Sequence, residues 1–221
     1  MLQARQLGVS RMPRTLVIDT ATAACSVALV EGGAVIAHAH EAVGRGHAER
    51  LVPMIAALPD GGRAEHILVD IGPGSFTGIR VGIAAARGLA LGWEASVAGY
   101  SSLAAIAIGA FADAKVPSTF AVMIEGGHGE VFMQCFTDDP VFHALDEMIS
   151  LAPAEAQNRL GSHPALGGGV ARLLDLPAGQ NGGADWGTDA RAAALLPEAF
   201  RTLRPSPLYG RPPDAKLPGQ R

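Results

Sequence analysis

Gly72-Pro-Gly-Ser-Phe-Thr-Gly-Ile-Arg80 is the stretch of this chain whose residue types come nearest to a ligand site. It stands between an apolar run that reads as a strand and a longer run that reads as a helix. Free backbone N–H groups at such a helix N-terminus can hold an anion. Yet the letters fail both common phosphate fingerprints. Walker A ends in Gly-Lys-Ser/Thr, whereas this loop ends Gly78-Ile79-Arg80, and the dinucleotide pattern needs glycine where Thr77 stands. Two readings stay open: a tight structural turn, or a phosphate cradle in which Gly74 and Ser75 act beside Asp19 and Thr20.

Asp19-Thr20 closes the first apolar run, where a carboxylate could organise Mg²⁺ and phosphate or cap a turn. His47-Ala-Glu49 echoes the His-x-Glu of zinc deaminases, but no Pro-Cys-x-x-Cys follows, and it reads as helix surface. His38 and His40 alternate along a strand without a third ligand, so no metal is expected. Cys25 and Cys135 lie apart in apolar runs and read as reduced core thiols. No Gly-x-Ser-x-Gly elbow or nucleophile–base pattern appears, so no catalytic residue and no cofactor is assigned.

The helix after the loop has two faces. Ile79, Ile83, Ala86 and Ala90 suit packing on a sheet. Gly78, Gly82 and Ala85, with Val81, Gly88 and Gly92 nearby, make a second face of very small residues. Each interior glycine costs about 0.5–1 kcal/mol relative to alanine, so close approach of another element must compensate. That element is either the next helix of the same chain, starting at Ser101, or a second protein. Gly78, Ile79, Val81, Gly82, Ala85 and Gly88 are the candidate interface residues, and Gly82→Leu is expected to block association without unfolding the chain.

Hydrophobic residues make up 48% against 17% charged and 5% aromatic, which favours α/β layers over disorder or an aromatic-rich sandwich. The net charge of −4, with no basic stripe in the sequence, argues against direct grip on nucleic acid. Strands are expected at 16–19, 26–31 and 34–42, with a Gly32-Gly33 turn, then a helix at 47–58, a strand at 67–71, the long helix to about 92, a strand near 97 and a helix at 101–112. Strands at 120–125, 130–136 and 141–145 follow, with helices at 153–160 and 189–201. Residues 1–12 read as a disordered extension, 13–115 as a first lobe and 116–221 as a smaller second lobe with a Pro-rich tail. No run approaches a membrane span or a signal-peptide core.

Several stretches resemble the TsaB (YeaZ) family: Leu16-Val-Ile-Asp-Thr-Ala-Thr-Ala-Ala-Cys-Ser-Val-Ala-Leu29, His47-Ala-Glu-Arg-Leu-Val-Pro-Met-Ile55, Gly72 through Gly82 with Arg87-Gly-Leu-Ala-Leu91, Gly129-Glu-Val-Phe132 and Pro207-Leu-Tyr-Gly-Arg211. The resemblance implies a two-lobed α/β fold of the actin/Hsp70/sugar-kinase (ASKHA) class, with a reduced second lobe. It also implies a cytoplasmic, non-catalytic subunit required by the paralogue TsaD for threonylcarbamoylation of the adenosine 3′-adjacent to the anticodon in ANN-decoding tRNAs. Implied partners are a TsaD-like subunit, a TsaE-like ATPase and a second copy of the chain, with tRNA reached only indirectly. TsaD carries a His-x-x-x-His metal pair, and the corresponding positions here are Ser102 and Ile106. The family's Asp-Ala-Arg-Arg is replaced by Glu125-Gly-Gly-His128. The alternative is an autonomous ASKHA-type ATPase or small-molecule phosphotransferase using Asp19 and the Gly72 loop.

Overall fold

The computed structural model describes residues 12–113, 115–173 and 186–209. The expected extension lies outside the described residues except for Met12, as does the tail beyond Tyr209. β1 (Arg14–Asp19), β2 (Ala24–Glu31) and β3 (Ala34–Ala42) form an antiparallel meander. Gly32 and Gly33, at φ 58° and 83°, make its tight turn. The chain then crosses through α1 (His47–Ala56) to β4 (His66–Asp70), parallel to β1, and through α2 (Phe76–Trp93) to β5 (Ser96–Tyr100). The sheet order is β3-β2-β1-β4-β5.

Alternation along the strands divides the core. Leu16 and Ile18 of β1 point to the face covered by α1 and α2, where Leu51, Met54, Ile55, Ile79 and Ile83 meet them. Val17 points the other way, into a cluster with Leu103 and Ala107 of α3 (Ser102–Ala112). Because both faces are covered, β1 and β4 read as continuous apolar runs, whereas β3 at the edge alternates. It also places α2 and α3 on opposite sides of the sheet. The small residues of α2 therefore have no intramolecular partner in α3.

The second sheet starts the same plan again and stops early. β6 (Thr119–Glu125) and β7 (Val131–Thr137) are antiparallel, β8 (His143–Ala144) and β9 (Ile149–Leu151) both pair with β7, and α4 (Pro153–Leu160) leads to β10 (Ala165–Leu166), parallel to β6. Among the described residues no strand corresponds to β5. α3 lies between the sheets, its cluster including Phe120, Val122 and Phe136. The result is an ASKHA-like fold with a reduced second lobe.

Two local expectations are corrected, and two helix details stand beside them. The helix at 189–201 is instead two 3₁₀ turns, Ala192–Leu195 and Glu198–Phe200. Pro197 between them has no N–H to donate and holds Leu196 extended, at ψ 136°. The strand at 141–145 shrinks to β8, and β9 was not foreseen. Pro53 sits inside α1, its carbonyl still accepting from Ala57 N–H at 3.1 Å. Ser101 occupies the N-cap position of α3, but its hydroxyl makes no cap bond.

After the turn at 198–200 the chain returns to the first sheet. Leu203 exchanges hydrogen bonds with Gly99 of β5, and Leu208 N–H donates to Ile71 O at 2.8 Å. Residues 201–209 thus form a strap across the β5 edge and the start of α2.

Candidate functional site

Asp19 and Asp70 end the neighbouring parallel strands β1 and β4, where Ile18 and Val69 are in register. Both carboxylates are fully buried. Asp19 Oδ1 accepts from Thr188 Oγ1 at 3.0 Å and Ala21 N–H at 3.3 Å, and Oδ2 accepts from the Tyr100 hydroxyl at 3.4 Å. Asp70 Oδ1 accepts from Gly72 N–H and Ser102 Oγ, each at 2.7 Å. Among the described residues, Asp70 Oδ2 and Ser101 Oγ are buried without a hydrogen-bond partner. Burial pushes Asp19 up to about 7. Burial, reinforced by the Asp19 charge, holds Asp70 well above the usual carboxylate range. Donors favour the charged form of Asp19, and the orphaned oxygen favours a proton on Asp70.

The remaining atoms of the candidate phosphate cradle are spent inside the chain. Ser75 N–H donates to Ala21 O at 2.6 Å, and Ser75 Oγ accepts from Gly78 N–H at 3.2 Å as the N-cap of α2. Thr20 Oγ1 donates to Gly78 O at 2.7 Å. Gly74 lies so close to Ala21 O that a Cβ would collide with it. Asp19, Thr20, Gly74 and Ser75 are brought together, as the sequence implied, but as a packed joint between the β1–β2 turn and α2. Thr188, which precedes the 3₁₀ turn at 192–195, sits directly on Asp19. Thr188 Oγ1 also lies 2.9 Å from Thr22 Oγ1.

The candidate interface residues separate into two sets. Gly78 and Gly82 face inward. A Cβ on Gly78 would strike the carbonyl oxygen of Thr20, and one on Gly82 would strike Thr20 Oγ1 and crowd Val69. Ile79 is buried in the core above the sheet. These three cannot touch a partner, which corrects their place in the interface. Val81 and Ala85 are half-buried and Gly88 is exposed. With exposed Ala84, Leu91 and Gly92 they form an open stripe along α2; Leu91 is 86% exposed, and none of the described residues lies within 4 Å of a Cβ on Gly88 or Gly92. Val52 of α1, which packs beside α2, is 57% exposed.

His47 differs from its reading as surface. It is buried, with Nε2 2.8 Å from Thr22 O and 3.1 Å from Ala24 O, so it fastens the start of α1 to the β1–β2 turn. His40 Nδ1 lies 3.7 Å from Asp189 Oδ2. Cys25 and Cys135 are free thiols, each pushed up to about 11 mainly by burial. Ser102 is committed to Asp70 and Ile106 to the inter-sheet core. Among the described residues no three His, Cys, Asp or Glu side chains converge in a way that could hold a metal ion, and no helix is long and apolar enough to cross a membrane. Sequence reasoning missed Asp70, Tyr100, Ser102 and Thr188 as parts of one cluster. The matched strand ends Val-Ile-Asp19 and Leu-Val-Asp70 were the available signal.

Residues 34–171 match the family model described as TsaD, tRNA N6-adenosine threonylcarbamoyltransferase. A protein of Escherichia coli (strain K12) named tRNA threonylcarbamoyladenosine biosynthesis protein TsaB is 39% identical over 157 residues, 66% of this chain and 66% of the relative. The Haemophilus influenzae protein of the same name is 34% identical over 165 residues, 68% of this chain and 69% of its own length. A tRNA N6-adenosine threonylcarbamoyltransferase from Jannaschia sp. is 33% identical over 78% of this chain but only 45% of the enzyme. The solved structure of YeaZ from Pseudomonas aeruginosa superposes with a TM-score of 0.75 at 27% identity, covering 90% of this chain and all of that one. The match covers about two thirds of the TsaB relatives and all of the solved YeaZ chain, but less than half of the transferase, which decides between the two. The chain belongs to the TsaB (YeaZ) family of tRNA threonylcarbamoyladenosine biosynthesis proteins.

Proposed function

We propose that this chain is the non-catalytic partner subunit of a TsaD-type threonylcarbamoyltransferase acting on tRNA. The observation that carries the reading is the open stripe of α2, where Val81, Ala84, Ala85, Gly88, Leu91 and Gly92 present small and apolar surface beside Val52 of α1. Glycines exposed in a helix weaken it unless something packs closely on them, and a contiguous apolar patch on a soluble fold marks an interaction site. Ser102 and Ile106, at the positions of the enzyme's histidine pair, are both built into the core, which supports chemistry in the partner. A TsaE-like ATPase joins the assembled pair, and self-association of the isolated chain uses the same stripe. An autonomous phosphotransferase would need an accessible carboxylate, and Asp19 is sealed beneath Thr188.

Gly88→Trp and Leu91→Glu are therefore expected to weaken capture of the cognate TsaD-type subunit at least tenfold each, about 1.4 kcal/mol. Both variants should keep the wild-type melting temperature, because neither side chain has a neighbour to displace. Reconstituted tRNA modification should need the chain and fail with either variant. Undiminished capture by both would sink the interface assignment, and Mg²⁺-ATP turnover by the purified chain that Asp19→Ala abolishes would restore the alternative.

A further inference from the structure

The sequence scatters its arginines, and reading them in order routes all tRNA contact through a partner. The fold gathers four of them. α2 carries Arg80 and Arg87 and no acidic residue, and the strap carries Arg201 and Arg204 with no acidic residue between 199 and 209. Arg87 reaches the strap at Pro205 O, 2.7 Å away, and Arg80 reaches it at the Tyr209 hydroxyl, 2.5 Å away. All four are exposed. Among the described residues none of the four guanidinium groups is paired with a carboxylate. Elsewhere Arg14, Arg50, Arg159, Arg172 and Arg191 are paired. Arg45 and Arg63, exposed and apart from one another in sequence, have no carboxylate partner among the described residues either. What sets the seam apart is that four such groups meet there. Among the described residues, the acids that flank these segments in sequence are Asp70, buried at the end of β4, Glu94, just past α2, and Glu198, just before the strap.

Two aromatic rings stand at one end of this seam. Phe76 is 66% exposed and Tyr209 52%, their centroids 6.5 Å apart, with the Arg80 guanidinium 3.2 Å above the Phe76 ring. Unneutralised arginines beside exposed rings are the combination that grips a sugar–phosphate backbone and stacks unpaired bases. We propose that the seam between α2 and the strap is an RNA-binding surface, contacting tRNA directly through backbone phosphates. It goes beyond the partner-subunit role, and it gives an acidic protein one local basic surface.

The test is anisotropy of labelled unmodified tRNA titrated with the full-length chain at several salt concentrations. Arg201→Ala/Arg204→Ala should weaken binding about tenfold at ~20 mM salt and lower the slope of log K against log salt by about two. Among the described residues neither side chain makes a hydrogen bond or ion pair that holds the fold, and a melting curve checks this. Arg159→Ala/Arg172→Ala removes the same charge away from the seam and should leave binding within about twofold. Equal losses in both double variants, or no binding by wild type at micromolar concentration in low salt, would overturn the proposal. Capture of the TsaD-type subunit by Arg201→Ala/Arg204→Ala should be unchanged, so failure here is separable from failure of the partner role.

Discussion

Gly82→Leu unfolds or grossly destabilises the chain, by at least about 3 kcal/mol, while Gly88→Trp one and a half turns further along α2 leaves stability unchanged or slightly raised. The two glycines share a helix and a residue type and differ only in what lies opposite. Above Gly82 there is no room: Thr20 Oγ1, Val69 and Ile18 close the space. Thr20 cannot yield, because its hydroxyl is bonded to Gly78 O and its backbone carbonyl presses on Gly78. A leucine there must lift α2 from β1 and expose Ile79 and Ile83. Overpacking of a rigid joint costs about 1–3 kcal/mol before such exposure is counted. For a chain of this size that corresponds to a fall in Tm of roughly 6–12 °C. Above Gly88 none of the described residues comes within 4 Å of an added Cβ, and replacing a helical glycine recovers about 0.5–1 kcal/mol. Thermal unfolding of the two variants side by side checks the claim; equal Tm values would show that α2 does not sit on Thr20 as described.

That contrast also marks where the sequence was legible. Apolar period and turn residues located the strands of the first sheet: β1 and β4, buried on both faces, carry unbroken runs of Leu, Val and Ile, while β3 alternates and is marked by the Gly32-Gly33 turn before it. The small-residue character of α2 was equally plain, but composition cannot say which small residue faces which neighbour. Gly78 and Gly82 are small because Thr20 is close, a contact spanning about 60 positions that no local pattern encodes. Gly88 and Gly92 are small with none of the described residues against them. The same limit hid the acidic cluster, since Asp70 and Thr188 become neighbours of Asp19 only through sheet register and the segment before the turn at 192–195. It also hid the arginine seam, whose members lie far apart in the chain. The 3₁₀ turns at 192–195 and 198–200 failed for a local reason: an Ala-rich stretch scores as helix, and Pro197 interrupts it.

The buried carboxyl pair sets the second large effect. In the folded chain Asp19 keeps its proton to about pH 7 and Asp70 keeps its own well beyond the normal range, both chiefly through burial. In the unfolded chain both lose it near pH 4. The folded state therefore binds more protons between these limits, and stability is fully present at low pH and lost as pH rises toward 7. Each retained proton contributes a slope of about 1.4 kcal/mol per pH unit, so one alone lowers stability by about 3 kcal/mol between pH 5 and pH 7. Asp19→Asn should remove one proton's share of that slope while keeping acceptors for Thr188 and Ala21. Asp19→Asn/Asp70→Asn should flatten the profile and exceed wild type in stability at pH 8. Urea unfolding at pH 5, 6, 7 and 8 measures this directly. A wild-type profile that rises from pH 5 to pH 8 would mean the pair is solvated and ionised, and the joint between β1, β4 and the Thr188 segment open rather than sealed.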